Sequence, residues 1–98
     1  MKRLDVIELL SAHRKELMDS FGITSLELFG SIVRGDNKSD SDVDLLVEFN
    51  HPVTLFHLFR AQHRLEEILN VPKVDLIMRD SVRPVFRERI FGEAVHVV

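Results

Sequence analysis

The sequence predicts an α/β (α+β) fold, a small mixed β-sheet flanked by helices, from three observations. Short runs rich in branched and apolar residues at 23–29, 43–49 and 73–78 read as strands, each followed by polar or turn-forming residues. Longer stretches at about 5–20 and 54–70 carry apolar residues at helical spacing. The second of these lies between the last two strands and has the length of a crossover that joins parallel neighbours.

The elements follow in order. In the first helix Val6, Leu9, Leu10, His13, Leu17 and Met18 keep the 3, 4, 7 spacing, and Gly22 supplies a stop. Ile23–Phe29 is the first strand and ends at Gly30. Residues 31–34 form a helical turn broken by Gly35, and the polar run 36–41 reads as a loop. Val43–Phe49 is the second strand, closed by Asn50-His51-Pro52. Thr54 caps a helix whose face runs through Leu55, Leu58, Phe59, Gln62, Leu65, Ile68 and Leu69. Phe56 falls off that stripe, which implies a second apolar contact. Residues 73–78 are the third strand, Ser81 and Pro84 open a last helix that ends near Gly92, and an apolar tail occupies 94–98. Strands two and three are expected to be parallel. Strand one must run against strand two to bring Gly30 to the same end, giving a mixed three-stranded sheet.

Bulk properties narrow the class. Ninety-eight residues, 45% hydrophobic and 30% charged, suit one domain spanning 1–98 with a real core. No apolar run reaches the ~18 residues that span a bilayer, so no membrane role is expected. The absence of cysteine excludes thiolate chemistry and fits a reducing cytoplasm. A net charge of −3, from 16 acids against 13 bases, is not the footprint of a free-standing nucleic-acid binder.

The chemistry is concentrated in three acids. Asp42 and Asp44 are two positions apart at the start of the second strand and share a face. Asp75 sits inside the apolar run Val74-Asp75-Leu76-Ile77-Met78. Acids at strand positions are costly to bury unless their charge is compensated. Three converging at one end of parallel strands suggest a divalent-cation site: Mg²⁺ takes carboxylates and completes its octahedron with waters and substrate phosphates. Gly30 lets backbone approach a phosphate, Ser31 offers N–H and hydroxyl donors, and Arg34, one turn along, reaches the same anion. Lys38 and Ser41 are weaker phosphate candidates.

Gly30-Ser31-Ile32-Val33-Arg34-Gly35, then Ser41-Asp42-Val43-Asp44-Leu45-Leu46-Val47 and Val74-Asp75-Leu76-Ile77, resemble the DNA polymerase β-type nucleotidyltransferase superfamily. The length and the Gly-Ser, ten residues, Asp-x-Asp spacing resemble its minimal nucleotidyltransferase (MNT, MntA-like) branch, and the resemblance covers nearly the whole chain. It implies a polymerase-β-like fold and Mg²⁺-dependent transfer of a nucleoside monophosphate from an NTP, with ATP the expected donor, to an acceptor hydroxyl. Two ions are expected: Asp42 and Asp44 hold the one that accompanies the triphosphate and share the second, whose shell Asp75 completes. The resemblance further implies an antitoxin paired with a HEPN-domain ribonuclease toxin, some members adding AMP to a toxin tyrosine. A catalytically silent antitoxin and a small-molecule (antibiotic) nucleotidyltransferase are the alternatives, the latter disfavoured because such enzymes generally need another domain for the acceptor.

Rival readings of the same residues are weaker. Asp40-x-Asp42-x-Asp44 resembles the start of a calcium loop, but Leu45 and His51 stand where that loop needs Gly and Glu. The Gly-Ser turn lacks the Gly-Lys-Ser/Thr of an ATPase phosphate loop. The five histidines show no paired ligand spacing and read as structural. An apolar patch including Phe56 or the terminal valines is expected to be exposed for a partner, and the tail could also extend a sheet edge in a homo-oligomer.

Overall fold

The computed structural model describes residues 1–35 and 42–98. The polar run 36–41, with the candidates Lys38 and Ser41, lies outside the described residues. Helices α1 (Arg3–Ala12) and α2 (Arg14–Phe21) precede strand β1 (Ile23–Phe29), the turn α3 (Ser31–Arg34) and strand β2 (Val43–Phe49). Helix α4 (Leu55–Leu69), strand β3 (Val74–Met78), a 3₁₀ turn at Arg79–Ser81, helix α5 (Pro84–Glu93) and strand β4 (Val95–His96) complete the chain.

The sheet order is β3-β2-β1-β4, with β1 antiparallel to β2 and β2 parallel to β3, as the crossover argument requires. Alternation along β2 sorts its side chains between two unlike faces. Val43, Leu45 and Val47 join Leu26, Leu28, Val74 and Leu76 in one closed core, roofed by Val6, Leu10, Leu17, Ala61, Leu65 and Leu69 from α1, α2 and α4. Fully burying each such leucine contributes about 1.5–3 kcal/mol. Leu46 points the other way into a much smaller cluster with Phe29 and Val82, which Ile90 and Phe91 of α5 only partly cover. One face is therefore sealed, and the other is covered at its centre and open towards the strand ends.

Two expectations are corrected. The predicted single first helix is two. At His13 the backbone N–H donates to the Leu10 carbonyl, while the imidazole Nδ1 takes the Leu9 carbonyl at 2.9 Å. A side chain competing for the carbonyl that the next helical bond needs breaks the ladder, and α2 restarts with Leu17 N–H on the His13 carbonyl. The predicted three-stranded sheet has four strands. Val95 and His96 pair antiparallel with Leu28 and Glu27 of β1, and Val97 is buried behind them. Of the two segments expected to form an exposed patch, the tail is thus largely packed. Phe56 is 81% exposed, with Leu55 and Phe59 exposed beside it on α4.

Local chemistry explains the remaining boundaries. Thr54 Oγ1 accepts the His57 N–H at 3.2 Å to cap α4, and Asn70 ends that helix in the left-handed conformation. Pro84 opens α5 where its missing N–H costs nothing. His57 is structural: its Nε2 lies 2.7 Å from the Phe21 carbonyl, and its ring meets Phe21, Phe49 and His51 edge-on. Arg64 grips Glu16 through two hydrogen bonds, of 2.5 and 2.9 Å, and so ties α4 to α2.

Packing outweighs that ion pair. Leu45→Ala is expected to cost about 2–5 kcal/mol, the range for a fully buried leucine. Arg64→Ala, at a solvent-screened ion pair, is expected to cost far less. Urea denaturation of both variants tests the ranking.

Candidate active site

The site grows out of the β2–β3 register. Val43 pairs with Val74 and Leu45 with Leu76, and all four side chains lie in the sealed core. A one-residue slip would turn Asp44 and Asp75 into that core, so burial fixes the register. Asp44 and Asp75 are consequently opposite neighbours on the more open face. In parallel strands ~4.8 Å apart their carboxyls meet side by side.

This arrangement has an electrostatic cost. Asp44 is pushed up to about 6, first by burial, then by the hydrogen bond with Asp75, and then by the negative charges of Asp75 and Asp42, while Arg34 pulls the other way. The raised value keeps a proton on Asp44 that the hydrogen bond to Asp75 uses. Lys73, two positions before Asp75 and on the same strand face, supplies an internal counter-ion. Its Nζ lies 3.3 Å from Asp75 Oδ1 and 3.7 Å from Asp42 Oδ2. That pairing raises the Lys73 pKa, through Asp75 first. Asp42, just before β2, is thus joined to the other acids through an ammonium.

Across from the pair stands the turn after β1. Phe29 is in register with Asp44, which places Gly30 over the Asp44 side chain. Gly30 adopts φ +83° and ψ −154°, a region essentially closed to other residues. A Cβ there would lie 2.1 Å from Asp44 Oδ2. Both facts require glycine. The Gly30 N–H donates to Glu93 Oε1 at 3.1 Å, and Arg34 Nη1 reaches the two Glu93 oxygens at 3.3 and 3.4 Å. Ser31 opens α3 and accepts the Gly35 N–H on its carbonyl.

Asp44, Gly30, Arg34 and Phe29 line a cleft of about 300 Å³, with Phe86, Arg89, Ile90 and Glu93 of α5 forming its other wall. Ser31 is not among the lining residues. A larger hollow of about 910 Å³ lies towards the C-terminal ends of β2 and β3, lined by Phe49, His51, Met78 and Arg79 among others. It contains none of Asp42, Asp44 and Asp75, so its size does not make it the site.

No three of the described acids and histidines form a ready-made metal site. The donor set nevertheless fits Mg²⁺. Mg²⁺ is normally held by one or two carboxylates plus phosphates and water, and a carboxylate pair already neutralised by a proton and an ammonium is one that a cation can satisfy. Lys73 and Glu93 are the residues sequence reasoning missed. Lys73 carried a readable signal, its period-two spacing to Asp75. Glu93 carried none, because 63 residues separate it from Gly30.

A mixed sheet flanked by helices, with paired carboxylates set against a glycine turn and an arginine, has the architecture of a nucleotidyltransferase-class α/β domain. The chain belongs to the nucleotidyltransferase domain family, which matches residues 10–97, and it is a nucleotidyltransferase. It is 40% identical over 98 residues to protein adenylyltransferase MntA of Thermococcus cleftensis, covering 99% of this chain and 98% of the relative. It is 42% identical over 83 residues to a Methanocaldococcus jannaschii protein provisionally named a protein adenylyltransferase, covering 84% of this chain and 95% of that one. A solved structure described as a minimal nucleotidyltransferase superposes with a TM-score of 0.72 at 35% identity, covering 97% of this chain and 95% of that one. A toxin–antitoxin crystal structure with AMP-PNP shares the fold at TM-score 0.71 and 20% identity, over all of this chain and 73% of that one.

Two predictions follow from the geometry. In metal-free protein Asp44 holds its proton up to about pH 6 when folded, but only to about 3.8 when unfolded. The folded state therefore binds more protons between these values, and stability falls as pH rises from about 4 through 6. Asp44→Asn should melt higher than wild type at pH 7.5 in EDTA, with the difference closing towards pH 4 in thermal scans. Gly30→Ala combines a forbidden backbone region with a clash, and is expected to cost about 2 kcal/mol or more by the same scans.

Proposed function

We propose that the protein transfers AMP from ATP to a hydroxyl of a partner protein in a Mg²⁺-dependent reaction, and that the partner is a HEPN-domain toxin. The observation that carries this reading is the cleft in which Asp44 meets Gly30 and Arg34, with Asp75 paired to Asp44 on the neighbouring strand at its edge. The name of the Thermococcus cleftensis relative supports protein adenylylation. The toxin–antitoxin neighbour supports an antitoxin setting through its fold.

In this reading Asp42, Asp44 and Asp75 would hold Mg²⁺, which supplies charge neutralisation for the triphosphate and for the entering and leaving oxygens. Gly30 allows the triphosphate to approach the backbone, and Ser31 and Arg34 contribute donors to it. A carboxylate placed beside the attacking hydroxyl is suited to accept its proton. Asp75, salt-bridged to half-exposed Lys73, is the one assigned to the acceptor side. The chain's work is orientation and charge placement, which suits phosphoryl-type transfer.

The test is to incubate the purified protein with Mg²⁺, its candidate partner and each of four labelled NTPs. Label passing to the partner from ATP is the expected result. Complex formation without label from any NTP would overturn the catalytic reading in favour of a binding-only antitoxin. Asp75→Asn is expected to keep nucleotide affinity while lowering transfer by ~10²-fold or more, the scale of a lost base or positioned charge. Asp42→Asn and Asp44→Asn should weaken Mg²⁺-dependent nucleotide binding as well, and calorimetry beside the transfer assay separates the two behaviours.

A further inference from the structure

Glu93 is an unexpected residue in its place. It is the last residue of α5, where a carboxylate faces the negative end of the helix dipole. Its side chain is only 18% exposed, so water does little to offset that repulsion. An acid in a locally unfavourable position, held there by specific partners, points to a role beyond stability. Its partners are the Gly30 N–H at 3.1 Å and Arg34 Nη1 at 3.3 and 3.4 Å.

We infer that Glu93 is an internal surrogate for a nucleotide phosphate, occupying the Gly30 N–H and the Arg34 guanidinium until the triphosphate displaces it. The inference rests on the reading of this cleft as the nucleotide site and adds to it the group that sets its affinity. An N–H has one proton to give, so the Gly30 amide cannot serve Glu93 and a phosphate oxygen together. The guanidinium has further N–H groups, but its positive charge is partly cancelled while Glu93 lies against it. A triphosphate arriving beside a seated Glu93 would also meet like charge in a partly dry cleft. Binding is therefore an exchange: the Glu93 carboxylate leaves the amide and the guanidinium, and a phosphate oxygen replaces it. The empty cleft keeps its donors oriented and satisfied, at the expense of nucleotide affinity.

The test measures ATP binding by calorimetry with Mg²⁺ present, using the full chain as wild type, Glu93→Gln, Arg34→Ala and the double variant. Glu93→Gln is expected to bind about tenfold tighter than wild type, since the neutral amide competes less well for charged and backbone donors. In the Arg34→Ala background that gain should shrink, because Glu93 then competes for the Gly30 N–H alone. Weaker or unchanged binding by Glu93→Gln would overturn the inference and leave Glu93 as a strut that positions the turn. Absence of ATP binding in every variant would instead overturn the reading of the cleft, and the inference with it. A measurement on the unaltered chain guards against misfolded variants. The ¹³C carboxyl resonance of Glu93 should move to the position of solvent-exposed glutamates when ATP saturates the site, and a resonance that stays in place would overturn the exchange.

Discussion

The register between β2 and β3 is the constraint on which the rest depends. It is set by aliphatic packing, Val43 against Val74 and Leu45 against Leu76, on the face that holds no functional group. The hydrophobic effect thus forces Asp44 and Asp75 together on the opposite face, where their mutual repulsion alone would separate them. The core is large enough to bear this: a single buried leucine contributes as much as a raised carboxyl pKa removes. Charge placement at the site is a by-product of packing on its reverse side.

Around that pair the chain answers each charge with another. Lys73 lies between Asp75 and Asp42, and Glu93 lies between the Gly30 amide and Arg34. The basic group sits among the acids assigned to a cation, and the acidic group sits on the donors assigned to an anion. Among the described residues no buried side-chain polar atom lacks a hydrogen bond. A site open to water on one side can hold this many charges because neither sign is left uncompensated in the drier part.

Much of this was legible in the sequence. Period-two and period-3.6 patterns located β1, β2, α4 and the turn at α3, because each has an unambiguous buried face and a chemical stop at Gly30, Gly35, Asn50 or Asn70. The Asp44–Asp75 adjacency followed from one topological rule, that a crossover helix joins parallel neighbours. The misses have physical reasons. Periodicity does not register the His13 break, since apolar spacing continues in phase through a single side-chain-to-backbone hydrogen bond. It does not reveal β4 either, because a two-residue strand is defined by its partner's hydrogen bonds and not by its own pattern. Glu93 belongs to the same class: its meaning comes from a contact made only after α5 has packed.

The connectivity of the cleft also dictates when it can exist. Gly30 and Asp44 come from an antiparallel pair near in sequence, Asp75 arrives only after α4 has crossed the sheet, and Glu93 closes over Gly30 from 63 residues away. Contacts of long sequence separation form late, because chain closure must be met before they stabilise anything. A nascent or partly unfolded chain would therefore have the glycine turn with Asp42 and Asp44, but neither Asp75 nor the α5 wall. In the proposed reading the cleft, its facing carboxylates and its α5 wall come together only in the native state.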